Sequence, residues 1–340
     1  MKKADHAPAA PRPSLASRNA IRQVAVLGLG TMGHGIAQSF ALAGFQVTGF
    51  DEVRAARSSL QRRVRGNLED LADAGLLKRA LIEPVLARIH VADSEAGALR
   101  EAQFVTEAVR EDLAVKQALF ARIEALVPPS AIIASNSSTF MISQSAAKMQ
   151  HPERAIVTHW FNPPHIVPVV EVVPGPRTNA ATTRATLALV RRLGKEAILL
   201  RREIPGFLVN RIQAALMREV WDLLDQGVAS AEDLDAAVRG ALGFRLAALG
   251  QLEVGDFGGL DVHGAVFRNL APLIKSDAKL PAAVAKLIAA GHLGIKTERG
   301  FYTYTARSAA AKRARRDRIF LALLKLLYAP LSPSPWRRRS

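Results

Sequence analysis

The stretch from Val24 to Asp51, VAVLGLGTMGHGIAQSFALAGFQVTGFD, constrains the fold more than any other part of the chain. An apolar run at Val24–Leu27 meets Gly28-Leu29-Gly30, then Gly33, then a helix-like segment, then a second apolar run that closes on an acid. That order spells strand, tight turn, helix and strand. Gly28 permits the tight turn, Gly30 lets the backbone approach a pyrophosphate, and Gly33 lets the helix pack closely on the strand. The helix N-terminus then offers N–H groups and the positive end of its dipole to phosphates. Asp51 stands about 20 residues on, where a carboxylate accepts hydrogen bonds from a ribose hydroxyl. A lone glycine signature is weak, but here strand, helix and terminal acid surround it in the required order. The reading is a dinucleotide site built on Gly28, Gly30, Thr31, Met32, Gly33 and Asp51, with an ordinary tight α/β turn as the competing reading. Asp51 favours NAD over NADP, because a carboxylate repels a 2′-phosphate; Arg54 and Arg57 close behind argue the other way.

A chain of 340 residues exceeds one average domain, so two are expected. Cysteine is absent, which excludes a disulfide framework, a thiolate metal site and a cysteine nucleophile. No apolar stretch approaches the ~20 residues that span a bilayer, and the cytoplasm is the expected compartment. The formal charge of +16 resembles a nucleic-acid signal but is badly distributed for one. Residues 1–22 carry +4 and residues 307–340 carry +9, which leaves +3 for the interior. The basic character therefore lives at the ends, and no nucleic-acid partner is expected. The stretch 1–20, rich in Ala and Pro, reads as a disordered tail and has no apolar signal core. At the other end a basic run, Arg307–Arg318, precedes an apolar one, Ile319–Leu331. It reads as a helix docked on its own fold or on a partner subunit; a membrane-surface helix is the sharper alternative.

Short apolar runs alternate with helical patterns through the first two thirds of the chain. Val24–Leu27, Val47–Phe50, Phe104–Val109, Ile132–Ala134, Ala155–His159, Val169–Val173 and Ala197–Leu200 read as strands. Met32–Ala43, Val115–Leu126 and Ala181–Leu193 read as helices between them. Such alternation predicts a parallel sheet covered on both faces. Residues 52–88 predict a helical excursion with a hairpin near Gly75. Beyond Ile204-Pro205-Gly206 the strand signals fade. Phe207–Gln226 is helical in period, and Ala231–Arg239 follows a capping signal at Ser230. The expected organisation is an α/β, Rossmann-type doubly wound sheet over 21–204, an all-α domain over 205–305 and an extension over 306–340.

Three segments place polar groups where such a sheet puts its active site, at the carboxyl ends of strands. Ser135-Asn136-Ser137-Ser138-Thr139 follows one strand and serves either as a ligand contact or as a cap for a helix over Met141–Lys148. Thr158-His159-Trp160-Phe161-Asn162-Pro163-Pro164 closes another. Histidine titrates nearest neutrality, so His159 suits proton transfer. The other histidines read as structural or surface groups; His34, in the glycine loop, can also touch phosphate. Glu171 sits inside the apolar run Val169–Val173, where a carboxylate is expensive to bury unless paired. His159 is its natural partner, and an edge strand with Glu171 facing water is the alternative. Asn210, inside an apolar helix start, faces either a cleft or solvent.

GLGTMGHGIA, SNSS, THWFNPP, PVVEVVPG, GFLVNR and GIKTERGFYTY occur in this order. Together, over roughly residues 22–305, they resemble the L-3-hydroxyacyl-CoA dehydrogenase family. The resemblance implies NAD as cofactor, His159 as general base and Glu171 as its orienting partner. It implies that Ser138 and Asn210 bind the substrate oxygen, and that Glu111, Lys116, Asn162 and Lys296 are further cofactor contacts. It also implies a homodimer formed by the helical domain, and a substrate lying between the domains. The implied reaction is reversible oxidation of a 3-hydroxyacyl-CoA. Where the family carries a serine for coenzyme A, this chain offers Arg62, Arg63, Arg65 and Asn67. Relatives of similar architecture oxidise carnitine or gulonate, so a free hydroxy acid is the alternative substrate. A non-catalytic NAD-binding structural protein is the alternative of another class.

Overall fold

The computed structural model describes residues 21–328. The tail read over 1–20 and the last part of the Ile319–Leu331 run lie outside the described residues. The chain divides at Pro205/Gly206 into two compact units.

In the first unit eight strands form one sheet, in the order β3-β2-β1-β4-β5-β6-β7-β8. They are β1 (Gln23–Leu27), β2 (Gln46–Phe50), β3 (Ile89–Val91), β4 (Phe104–Glu107), β5 (Ile132–Ser135), β6 (Ala155–Trp160), β7 (Val169–Pro174) and β8 (Glu196–Leu199). The first six follow the dinucleotide-binding order, so the β1/β4 junction is a topological switch point. Neighbours run parallel except β6 and β7, which pair antiparallel. The expected parallel sheet thus carries one antiparallel pair, for a steric reason. Parallel pairing needs a crossover of a dozen or more residues, and the connection from 161 to 168 is too short for one. The edge strand β3 was not expected; at three residues it is too short to show a strand's alternation.

Helix α1 (Gly33–Leu42) packs against the sheet with Ile36, Ala37, Phe40 and Ala41 buried. Phe40 is the hub of an aromatic cluster, with ring centroids 5.7 Å from Phe45 and 6.0 Å from both Phe104 and Trp160. Helix α2 (Arg54–Asp73) buries Leu60, Val64, Leu68 and Leu71, one stripe at helical spacing. The chain turns at Gly75, which has a positive φ, and returns through α3 (Ile82–Leu86), the helical hairpin anticipated from the sequence. Two short helices follow along the chain, α4 (Glu95–Leu99) and, after β4, α5 (Leu113–Ile123), which Asp112 caps by accepting from Val115 N at 3.1 Å. α6 (Ile142–Ser145) is far shorter than the helix read over Met141–Lys148. α7 (Ala180–Arg192) joins β7 to β8.

The second unit is helical: α8 (Val209–Asp225), α9 (Ala231–Ala237), α10 (Gln251–Gly258), α11 (Leu260–Leu270), α12 (Ala282–Ala289) and α13 (Ala306–Tyr328). Ser230 caps α9, accepting from Asp233 N at 3.1 Å. The helix read over Ala231–Arg239 changes after Ala237 into a π-helical turn, Val238–Gly243. The basic run and the described part of the apolar run form one continuous helix, α13, with Ala309 and Leu321 buried. Lys312 lies 4.8 Å and 4.9 Å from the ring centroids of Tyr302 and Tyr304. Among the described residues no helix is long and apolar enough to cross a membrane.

Candidate active site

The glycine turn at the end of β1 divides its glycines into two kinds. Gly28 has φ +87°, and a Cβ there would lie 2.5 Å from the Ala108 carbonyl oxygen. A Cβ at Gly33 would lie 1.7 Å from the Gly28 carbonyl oxygen. Both positions are closed by the protein's own backbone. A Cβ at Gly30 would meet nothing within 4 Å among the described residues. Gly30 therefore fronts open space, as a backbone position that a pyrophosphate approaches must. Thr31 is exposed and Met32 half-buried beside it. The first N–H groups of α1 lack intrahelical partners, the usual seat for phosphate oxygens.

Asp51, at the end of β2, accepts from Leu29 N at 2.6 Å through Oδ2 and from Val53 N at 2.8 Å through Oδ1. Each oxygen keeps further acceptor capacity for a ribose hydroxyl. Arg57, which argued for NADP, is committed to main-chain carbonyls: its Nη1 donates to Asp51 O and, at 3.2 Å, to Glu52 O. Arg63 also departs from its expected place. Its guanidinium donates to Leu29 O at 2.6 Å, Gly30 O at 3.1 Å and Ala56 O at 3.0 Å, so it braces the glycine turn from behind. His34 is half-buried rather than solvated, and its Nδ1 donates to Gly30 O at 2.9 Å. Burial holds its pKa below the ordinary 6.5, and the nearby Arg63 charge acts in the same direction against the Gly30 carbonyl.

The next strand ends carry a second cluster. Glu111 Oε1 accepts from Ser137 Oγ at 2.5 Å, Ser138 N at 3.1 Å, Thr139 N at 3.2 Å and Thr139 Oγ1 at 2.8 Å. Burial pushes the Glu111 carboxyl up, but these hydrogen bonds and the Lys116 ammonium outweigh it and hold the pKa below the usual carboxylate range. Lys116, expected among the cofactor contacts, is buried in α5, with Nζ 2.6 Å from Glu107 Oε1 and 3.2 Å from Glu111 Oε2. The serine cluster does not cap α6, because Ser135 Oγ donates to Glu107 Oε2 at 2.7 Å and Ser137 Oγ accepts from Phe140 N at 2.8 Å.

His159 and Glu171 complete the picture. They are Cα partners in the antiparallel β6–β7 ladder. Directly opposed residues of such a ladder project on one face, within side-chain reach. His159 Nδ1 lies 2.7 Å from Glu171 Oε2, with the two side chains 3% and 0% exposed. A carboxylate only accepts, so Nδ1 carries the proton and Nε2 is the basic nitrogen. β7 is flanked by β6 and β8, which removes the reading of Glu171 as an edge group facing water. Asn136 Oδ1 accepts from Trp160 N at 2.9 Å, which pins the end of β6 beside His159.

The glycine turn, Glu111, Ser138 and His159 thus all follow or end strands at the carboxyl edge of β1, β4, β5 and β6. Asn162 is exposed just after β6. Asn210, in α8, and Lys296, exposed in the short turn Ile295–Thr297, belong to the second unit. Glu107 is the site group that the sequence reading passed over. Its signal was the one that exposed Glu171: a carboxylate inside an apolar strand.

The model of the 3-hydroxyacyl-CoA dehydrogenase NAD binding domain matches residues 23–204, and that of the C-terminal domain of the same family matches residues 206–304. The chain belongs to the 3-hydroxyacyl-CoA dehydrogenase family. It is an NAD-dependent oxidoreductase of that type, on the doubly wound sheet and helical second domain of the family. A 5-formyl-3-hydroxy-2-methylpyridine 4-carboxylate 5-dehydrogenase of Mesorhizobium japonicum is 34% identical over 308 residues, 90% of this chain and 98% of that one. A solved 5-formyl-3-hydroxy-2-methylpyridine 4-carboxylic acid 5-dehydrogenase, described as an NAD+ dependent dismutase, superposes with TM-score 0.85 at 31% identity, covering 91% of this chain and 99% of its own. A probable 3-hydroxybutyryl-CoA dehydrogenase of Bacillus subtilis is 32% identical over 285 residues, 84% of this chain and 98% of that one. The residues present fit NAD: an open glycine between two closed ones, and a carboxylate at the end of β2.

Proposed function

We propose that His159 is the general base of an NAD-dependent dehydrogenase whose substrate is a small free hydroxy acid. The observation that carries the chemistry is the buried His159–Glu171 contact of 2.7 Å at the carboxyl edge of the sheet. With Nδ1–H donated to Glu171, the neutral ring takes the substrate hydroxyl proton on Nε2. The C–H electron pair leaves carbon as hydride while the oxygen's electrons form the C=O bond. NAD, when bound, supplies the hydride acceptor. Glu171 stabilises the imidazolium that results, and general-base help of this kind is worth about 10²–10⁴ in rate. In this reading Ser138 and Asn210 hold the substrate oxygen. Gly28, Gly30, Thr31, Met32, Gly33, Asp51, Asn162 and Lys296 serve the cofactor, while Glu111 and Lys116, expected there too, are assigned to the Ser137–Thr139 turn and to Glu107.

Two observations support a free acid over a CoA thioester. Most of the groups that α2 offers for coenzyme A are already engaged. Arg63 grips the glycine turn, Arg65 pairs with Glu83 at 2.5 Å and 3.0 Å, and Asn67 donates to Gln38 Oε1 at 2.8 Å. The relative that matches over nearly its whole length and 90% of this chain is named for a pyridine carboxylate. The second reading, a 3-hydroxyacyl-CoA, is favoured by the family models and by the Bacillus relative. A homodimer and a cytoplasmic setting complete the proposal. The exposed Leu252, Phe257, Phe267 and Leu273 of the helical unit support a partner surface.

A substrate panel read as NADH formation tests the proposal. It spans short and long 3-hydroxyacyl-CoA esters, carnitine, sugar acids and hydroxymethyl- or formyl-pyridine carboxylates. Turnover of free acids is expected; turnover of CoA esters alone would overturn the substrate class, and none at all the enzymatic reading.

A further inference from the structure

We propose that Glu107 is a positioning residue: through Lys116 and Glu111 it fixes the Ser137–Thr139 turn that presents Ser138. The inference rests on the proposed role of Ser138 at the substrate oxygen. Glu107 ends β4 with its side chain fully buried. Its Oε1 accepts from Lys116 Nζ at 2.6 Å and Val109 N at 2.8 Å, and its Oε2 from Ser135 Oγ at 2.7 Å. Its main chain joins the same centre, because Asn136 N donates to Glu107 O at 2.8 Å. One step on, Ala108 N donates to Leu27 O at 2.7 Å, against the glycine turn. A single residue thus links the ends of β4 and β5 and adjoins the end of β1.

The charges explain why the carboxylate matters. A buried ammonium is costly unless it is paired and hydrogen-bonded. Lys116 is 1% exposed and is shared between fully buried Glu107 at 2.6 Å and partly exposed Glu111 at 3.2 Å. With Glu107 taking the closer contact, Glu111 is left to clasp the turn through Ser137, Ser138 and Thr139. If Glu107 loses its charge, Lys116 has Glu111 alone. The ammonium then draws that carboxylate inward and the turn loses its acceptor. A displacement near 1 Å at a reacting group can cost about 10²-fold in rate.

The test is a double-mutant cycle between Glu107 and Ser138, read as kcat/KM with the best substrate of the panel. Glu107→Gln is expected to lower kcat/KM by about 10- to 100-fold, in keeping with a small misplacement. NAD affinity should stay within about threefold and the pH midpoint of kcat/KM should not move, because neither Asp51 nor His159 is in the network. In a Ser138→Ala background the same change should cost under about threefold, since residues acting through one another are non-additive. Unchanged activity in Glu107→Gln, or an equal cost in both backgrounds, overturns the inference. If Glu107→Gln does not fold, Glu107→Gln/Lys116→Met removes both buried charges and takes its place. Its kcat/KM should match that of Lys116→Met; a further tenfold loss overturns the inference. An inactive wild type would instead refute the proposed function.

Discussion

His159 and Glu171 face each other across the one antiparallel step of an otherwise parallel set of pairings, with Nδ1 2.7 Å from Oε2. The short connection after β6 forces the reversal, and the reversal puts the two side chains on one face. Replacing Glu171 by Gln keeps the shape and removes the charge. The amide can donate to Nδ1, which would move the ring proton to Nε2 and abolish the base. Turnover should fall by about 10²–10⁴, the range seen when a histidine is held in the wrong tautomer. Steady-state NADH formation, with circular dichroism to verify folding, checks this; activity within threefold of wild type would contradict it.

Two glycine variants separate fold from ligand. Gly33→Ala would drive a methyl group into the Gly28 carbonyl, 1.7 Å away, so the turn must deform and the protein should be strongly destabilised or insoluble. Gly30→Ala meets no protein atom within 4 Å and should keep its melting temperature. NAD should nonetheless bind at least tenfold more weakly to Gly30→Ala, measured by fluorescence titration, because the methyl group occupies the pyrophosphate's approach. Undiminished NAD affinity would place the cofactor elsewhere.

Arg63 offers a test of the substrate class. Because it holds the Leu29 and Gly30 carbonyls, Arg63→Met should raise KM for NAD and leave KM for the organic substrate within about twofold. A rise confined to an acyl-CoA ester would mean that Arg63 serves coenzyme A after all.

Lys195 gives the protein a pH signature. Its Nζ donates to Pro164 O at 2.8 Å and Val167 O at 2.6 Å, in the connection between β6 and β7. Burial lowers its pKa from 10.5 to about 7. Between those values the unfolded chain binds the proton and the folded one releases it, so stability rises with pH. The contribution is complete above pH 10.5 and is lost as pH falls towards 7. Thermal melts of wild type and Lys195→Met should diverge across this window, with wild type gaining as pH rises. Parallel curves would show that the ammonium keeps its charge in the fold.

Much of this was legible in the chain. The seven strands read from apolar runs are present, because runs buried on both faces leave a plain signature between turn residues. The glycine turn was legible because each glycine answers a different steric demand. The direction of β7 was not inferred, since it depends on a connection length and not on strand composition. The engagement of Arg57 and Arg63 with main-chain carbonyls was hidden as well: a guanidinium on a helix looks the same whether it awaits a phosphate or braces a turn. Glu107 carried the same signal as Glu171, a carboxylate in an apolar run, but no partner stands near it in sequence; Lys116 and Ser135 reach it only through the fold.

The most direct measurement pairs NAD titration with single-turnover NADH formation in wild type and His159→Gln. If His159 is the base, NAD should bind both proteins within about threefold while the variant's hydride-transfer rate falls by about 10²–10⁴. A variant that forms NADH at the wild-type rate would contradict that assignment.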